Sequence, residues 1–423
     1  MSQLRPARGT HDLLGEESRR HRHVAETGRE IASRYCYGEI ATPIFEFTEV
    51  FQRTLGETSD IVTKEMYTFE DRGGDRVTLR PENTAGVVRA VITGGLTQEL
   101  PQKFYYHGPM FRYERPQKGR LRQFHQIGVE LIGAAEPMAD VEVIALGAHI
   151  LETLGVLQHT VLELNTLGDR ESRLAYRDVL VRYLEGHKER LSHDSLTRLE
   201  RNPMRILDSK DEGDRAVIAE APLLHEHLNP ASRDFFARVQ DGLGRLGVVF
   251  ELSPRLVRGL DYYTHTAFEF TTTALGAQGA VMAGGRYDGL MQAMGGPDVP
   301  GVGWAAGVER LAMLLAETPA ANRPVAIVPI GADAEAAAVA LAHELRRDGV
   351  TVELAFKGKP GQRMKRADRL GARWAVSLGS DELARGVVRL RDLDSGVEEE
   401  LAVAALMARV CCAGSTSAAA AGA

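Results

Sequence analysis

Apolar positions change their period along the chain. From Glu16 to Tyr37 they recur at Val24, Gly28, Ile31 and Tyr35, the spacing of one helical face, and Gly38 is placed to end that helix. ATPIFEFTEVF opens an extended, turn-punctuated stretch running through TLRPENTAG, in which Gly73-Gly74 predicts a hairpin before a strand ending near Arg80. KFYYHGPMFRYE and QFHQIGVELIG read as two antiparallel strands joined by the long basic loop ERPQKGRLR.

Between Leu167 and Gly247 the pattern turns charged and helical, with RLAYRDVLVRYLEGHKERL its clearest stretch, so a helical insertion is expected at 168–247. TAFEFTT and GAVMAGG resume the strands, and GVERLAMLLAE closes the region with Val308, Leu311, Leu314 and Leu315 at helical spacing. A linker is expected at Pro319 to Pro324, ending a first domain of residues 1–320. Beyond it VAIVPIG, EAAAVALAHELRRDG, VTVELAF, GQRMKRADRLG and RWAVSLG alternate strand and helix, which predicts a small α/β domain at 324–412 with a mostly parallel sheet. Residues 413–423 have little to bury and are expected to form a flexible tail.

Composition changes this picture little. The chain has 423 residues, 44% hydrophobic and 26% charged, the balance of a folded globular protein with two or three domains. Its net charge of −7 argues against a generally basic nucleic-acid coat, so any RNA must be met by local patches. The three cysteines, Cys36, Cys411 and Cys412, make no zinc or disulfide spacing, and a reducing cytoplasm is the simplest setting. MSQLRPARGTHDLLGEESRR lacks the apolar core of a signal peptide, and no apolar run is long enough to span a bilayer, so a soluble protein without a membrane partner is expected.

Candidate chemistry lies on the strands. In the strand beginning at Gln123, odd positions His125, Ile127, Val129 and Leu131 are mostly apolar, while even positions carry Gln126, Gly128 and Glu130. Gly128 leaves either room for a small ligand against the sheet or a bulge in a half-solvated strand. Arg112 and Glu114 share a face, and Arg115, Lys118, Arg120 and Arg122 follow in the loop. Arginine forks suit phosphates, although a basic surface hairpin has the same composition. Arg258, Asp261, Tyr262 and Tyr263 gather in LVRGLDYYT, where an extended backbone would send the two tyrosines to opposite faces. Gly284-Gly285 is no dinucleotide or P-loop fingerprint. His21 and His23 lack partners at zinc spacing and read as solvated helix histidines, so no metal cage is implied. No nucleophile motif of the G-x-S-x-G or cysteine-protease kind occurs.

Taken in order, ATPIFEF, TLRPENTAG, GPMFRYERPQKGRLRQFHQIGVELIG, LVRGLDYYT, AGGRYDGL and GVGWAAGVERL resemble the histidyl-tRNA synthetases, class II aminoacyl-tRNA synthetases, over nearly the whole chain. F-R-x-E and G-x-x-E-R recur across class II enzymes, whereas RGLDYYT with GGRYDGL is narrower and points to histidine. The resemblance implies an α+β class II catalytic domain, an antiparallel sheet flanked by helices with a helical insertion, and a C-terminal α/β anticodon-binding domain. It also implies a homodimer whose interface uses ATPIFEF with Pro43.

The implied activity is that of a histidine–tRNA ligase. L-histidine and ATP, assisted by Mg2+, give histidyl-adenylate and pyrophosphate, and histidine then passes to the terminal ribose of histidine tRNA. Carried over by position, Glu82, Asn83 and Thr84 of RPENT, with Gln126, fall among the histidine-binding residues. Glu130 and Tyr263 match those that read the imidazole, and Tyr262 lines the same pocket. Arg112 looks like the α-phosphate arginine, Glu114 like an adenosine-side glutamate, and Phe124 with Arg310 like the pair sandwiching adenine. Arg258 matches a residue near the histidine carboxylate and α-phosphate and is the expected main catalytic side chain, with Arg112 beside it. The basic loop Arg115–Arg122, and a C-terminal cluster of Lys357, Lys359, Arg363, Lys365 and Arg366, are candidate tRNA contacts. Tyr113 and Asn83 stand where relatives vary. One rival reading is a non-catalytic, histidine-binding regulatory paralogue of ATP phosphoribosyltransferase; another is an RNA-sensing module that keeps only the fold. The intact arginines oppose both.

Overall fold

The computed structural model describes residues 4–418 apart from 57, 58, 60, 261, 277 and 278; Asp261 therefore lies outside the described residues. The chain divides into a unit ending at Pro319 and one beginning at Ala320.

In the first unit α1 (Gly15–Arg34) leads to β1 (Gly38–Glu39), β2 (Phe45–Phe47) and α2 (Thr48–Leu55). A hairpin of β3 (Tyr67–Glu70) and β4 (Arg76–Leu79) turns at Gly73-Gly74, and α3 (Thr84–Thr93) follows. Next come β5 (Gln102–Phe111), β6 (Gln123–Ile132), α4 (Pro137–Thr153) and β7 (Val161–Thr166). Helices α5 (Arg170–Glu185), α6 (His193–Arg201), α7 (Glu212–Ile218) and α8 (Pro230–Arg245) intervene before β8 (Glu251–Leu252). The unit closes with β9 (Thr264–Thr271), β10 (Ala280–Arg286), α9 (Leu290–Ala293), β11 (Gly301–Gly307) and α10 (Val308–Leu314).

Eight strands form the main sheet in the order β1-β5-β6-β11-β10-β9-β7-β8. Its central pairs are all antiparallel, and only the short edge strands β1 and β8 join in parallel. Period-two alternation splits the core in two. Ile127, Val129 and Leu131 pack on one face with Val24 and Ile31 of α1 and Ile144 and Leu151 of α4. Tyr106, Met110 and Ile132 pack on the other with Val87 and Val91 of α3 and with Tyr262 and Tyr263.

Two local expectations change. Helix α1 stops at Arg34, before Gly38, because Cys36 takes the left-handed conformation (φ 63°). Tyr37 N–H donates to Ala32 O and Cys36 N–H to Ser33 O, the Schellman closure that a glycine usually supplies. TEVF, read as extended, instead begins α2, whose Phe51 and Leu55 are fully buried; four residues apart, they share one helical face.

In the second unit β12 (Val325–Pro329), α11 (Asp333–Arg347), β13 (Val352–Leu354), α12 (Pro360–Arg369), β14 (Trp374–Leu378) and α13 (Ser380–Arg385) alternate. They are followed by β15 (Val387–Asp392), β16 (Glu398–Ala402) and α14 (Val403–Ala418). The sheet, in the order β13-β12-β14-β15-β16, is parallel across its first three strands and antiparallel across the last two pairings. It is therefore mixed rather than mostly parallel, because β15 and β16 return as a hairpin that needs no crossover helix. α14 carries the backbone through residues 413–418 of the expected tail, and 419–423 lie outside the described residues.

Candidate active site

A cavity of about 390 Å3 opens on the polar face of the main sheet. Glu82, Thr84, Arg112, Glu114, Phe124, Gln126, Arg258, Tyr262, Tyr263 and Arg310 all line it, although they come from segments scattered between RPENT and GVER. Each element supplies its residue for a local reason. Alternation on β6 sends Gln126 to this face while its neighbours His125 and Ile127 face the other way. Arg112 and Glu114 lie just past the end of β5, held where Arg112 N–H donates to Arg122 O (2.9 Å). Arg310 sits in the first turn of α10.

One end of this space is rich in carboxylates and phenols. Glu82 accepts from the backbone N–H groups of Thr84 (2.6 Å) and Ala85 (3.0 Å), which satisfies two orphan donors at the start of α3. Glu130 is completely buried beneath the floor, accepting from Thr84 Oγ1 (2.7 Å) and Tyr287 Oη (2.5 Å). Burial pushes both carboxyls up, Glu130 to about 8, against the opposing pull of their hydrogen bonds. Tyr262 and Tyr263 do not point to opposite faces. They occupy a turn and the coil after it, with ring centroids 4.7 Å apart, because the strand starts only at Thr264. Burial raises both hydroxyls above the usual phenol range.

Guanidinium groups crowd the opposite end. Arg112 donates from Nε to Pro81 O (2.8 Å), and its guanidinium lies 5.3 Å from the Phe124 ring centroid. Arg120 pairs with Glu114, and Arg310 donates to Gly119 O (3.1 Å) and Ala280 O (2.5 Å). Burial lowers all three arginines from their ordinary range, and repulsion from a neighbouring arginine adds to the effect at Arg120 and Arg310. Arg258 stands between the two ends. It pairs with Glu269, lies 5.4 Å from the centroid of Tyr263, and its buried Nε has no hydrogen-bond partner among the described residues.

The structure departs from the sequence reading at several residues. Asn83 does not reach the cavity: its Oδ1 accepts from Thr42 Oγ1 (2.5 Å) and Arg80 Nη1 (3.2 Å) in a buried network behind α3. Gly128 makes neither a ligand gap nor a bulge. Pairing on both sides of it is regular, and a Cβ there would lie 2.3 Å from the Tyr106 ring, so the missing side chain admits Tyr106. Gly303 similarly makes room for the Glu130 carboxylate, 1.9 Å from where its Cβ would be. His21 is buried rather than solvated, because α1 packs it against His125. In the second unit Arg363 is a buried pin to Pro329 O and Glu335, whereas Arg366, paired with Glu353, is exposed along with Lys357, Lys359 and Lys365.

Glu269, Tyr106, Tyr287, Arg80 and Lys210 were not singled out by sequence. Glu269 was within reach, since Phe268 and Phe270 beside it are core and alternation turns it to the other face. Lys210, between α6 and α7, carried no local signal.

The histidyl-tRNA synthetase family model matches residues 9–311.

The chain belongs to the histidyl-tRNA synthetase family.

An anticodon-binding domain model matches residues 324–412. A histidine–tRNA ligase of Rhodospirillum rubrum is 65% identical over 407 residues, covering 96% of this chain and 98% of the relative. One from Gluconacetobacter diazotrophicus is 59% identical with the same coverage. The crystal structure of apo Staphylococcus aureus histidyl-tRNA synthetase matches with a TM-score of 0.81 at 37% identity, over 96% of this chain and 99% of that one. The family's class II α+β catalytic fold and its C-terminal anticodon-binding domain are thus those of this chain, and the chain is an aminoacyl-tRNA ligase by family.

Proposed function

We propose that this family member is a histidine–tRNA ligase. The observation that carries the reading is the convergence, in one cavity, of acidic and phenolic groups suited to an amino acid with arginines suited to a nucleotide. The amino-acid carboxylate attacks the α-phosphorus of ATP, the bond to the bridging oxygen breaks, and pyrophosphate leaves. A terminal ribose hydroxyl of tRNA then attacks the acyl carbon, and AMP leaves. Neither step uses a protein nucleophile, so catalysis rests on positioning and electrostatic stabilisation.

The residue roles follow the chemistry of each end. Arg258, between the tyrosines and the guanidinium cluster, is assigned to charge neutralisation during attack, with Arg112 on the α-phosphate. Phe124 and Arg310 are assigned to the adenine faces and Glu114 to the adenosine side. Glu82, Thr84, Gln126, Tyr262 and Tyr263 are assigned to histidine, and Glu130 to the imidazole from beneath. Asn83 supports the site through Arg80. Mg2+ belongs with the ATP phosphates, and the carboxylates of Glu65 and Glu114, which line an adjoining hollow, are oxygen donors that fit a hard cation. When bound, it neutralises phosphate charge. The regulatory-paralogue reading is not favoured, since the arginines stand in the cavity and the close relatives are ligases.

A homodimer and a cytoplasmic setting are part of the same reading. Ile44, Phe45, Phe47 and Phe69 are exposed, and the three phenylalanines share one face of the small antiparallel sheet that β2 and β3 form on either side of β4, an apolar patch suited to a second copy. No helix among the described residues is long and apolar enough to cross a membrane.

The deciding experiment is amino-acid-dependent exchange of labelled pyrophosphate into ATP, run with each of the twenty amino acids, Mg2+ and no tRNA. Exchange with histidine alone is expected. No exchange with any amino acid, despite measurable histidine binding, would revive the regulatory reading.

A further inference from the structure

On the opposite face of β5 and β6 from the cavity, three histidines meet a carboxylate. His21 of α1, His125 of β6 and Glu309 of α10 each bring a ligand-capable atom within 4.8 Å of the other two. His125 Nδ1 lies 2.9 Å from Glu309 Oε1, and the His125 backbone N–H donates to both carboxylate oxygens at 2.8 and 3.0 Å. The His21 ring meets His125 edge-on at 5.8 Å between centroids, and His107 of β5 stacks on His125 at 6.1 Å. A cleft of about 350 Å3 reaches these rings, lined by all three histidines.

We propose that His21, His125 and Glu309 bind a divalent transition-metal ion of the zinc class, with His107 beside it and a fourth position open. Two imidazoles and a carboxylate are the ligand types zinc takes, and they stand on three separate, well-packed elements. Tetrahedral zinc with bonds of about 2.0–2.1 Å holds its ligands about 3.4 Å apart, so closure asks for side-chain rotations of about an ångström rather than backbone movement. A metal accepts an imidazole only in its neutral form, and His21 is buried on α1 beside His125. Among the described residues no hydrogen bond engages the side chains of His21 or His107, whereas Glu309 and His125 are already oriented by each other. The remaining charges around the cleft are Arg22, Arg29, Glu26 and Glu39, two of each sign, so they do not repel a cation on balance.

The site would tie α1 and α10, which pack against each other on one face of the sheet, to β6. His125 directly follows Phe124, and Glu309, which itself borders the cavity, directly precedes Arg310, so an ion here would grip two segments that line the cavity.

The test uses the full chain, freed of metal by a chelator and titrated with Co2+ in the absence of ATP. Visible d–d absorption that saturates at one ion per chain and is bleached by Zn2+ is expected, together with a rise in thermal midpoint on adding Zn2+. His21→Gln should weaken the affinity at least about tenfold while its far-UV circular dichroism stays that of the wild type; Glu309→Gln is the second variant should the first not fold. Absence of the absorption bands, or bands of undiminished affinity in a folded variant, would overturn the site.

Discussion

At one end of the cavity the polar atoms are carboxylates and phenols buried among aromatic rings; at the other they are guanidinium groups pressed together. Glu82, Glu130, Tyr262, Tyr263 and Tyr287 lie almost wholly out of water, and burial holds each of them towards its neutral form. Such a pocket discriminates through partners: a ligand that fails to engage a buried polar group leaves it unpaired, at about 1–3 kcal/mol each. Arg112, Arg120 and Arg310 repay an incoming polyanion differently, because their crowding is relieved by negative charge. The first end selects by complementarity, and the second attracts by charge.

Arg258 joins the two ends, and its removal should have the largest effect. Arg258→Ala is expected to slow single-turnover adenylate formation by about 10²–10³-fold while histidine affinity falls only modestly. An unchanged rate would end its catalytic assignment. Next, Glu130→Ala should weaken histidine binding about 10- to 100-fold and leave ATP binding near the wild-type value, as separate calorimetric titrations would reveal. Equal losses for both ligands would make Glu130 structural and erase the division between the ends. Arg310→Ala should lower ATP affinity by about tenfold and flatten its salt dependence, with histidine affinity unchanged.

The smallest effect is one of pH. The Glu130 carboxyl is raised to about 8 from an ordinary 4.5, so the folded chain keeps a proton that the unfolded chain releases between those values. Its contribution to stability is full below the lower value and is lost as pH climbs through the upper one. Calorimetric melts at about pH 5 and about pH 8 should therefore show a smaller fall in midpoint for Glu130→Gln than for the wild type. An identical fall would mean that Glu130 is already ionised in the folded chain.

Much of this architecture was legible in the residues. The β5/β6 pair, the Gly73-Gly74 hairpin and the α1 face each follow from a period and a turn signal that act locally. The misreadings have equally local causes. TEVF lacks a capping side chain that would announce α2, and its N-cap position is Phe47. At the end of α1 a cysteine adopts the conformation that glycine usually takes, so Gly38 misled. The hairpin of β15 and β16, rich in alternating charge, hides its buried Val388 and Leu390 between exposed arginines.

The site divides along the same line. Alternation by itself put Gln126 and Glu130 on the face opposite Ile127 and Val129, because a strand's side chains obey period two whatever surrounds them. The order of motifs along the chain was enough to mark the family. Only the tertiary structure decided that Tyr106 fills the space at Gly128, that Asn83 turns towards Arg80, that Arg258 meets Glu269, and that His21 faces His125 and Glu309. Those are contacts between segments far apart in sequence, and no local period encodes which distant side chain will occupy the space a strand or helix leaves open.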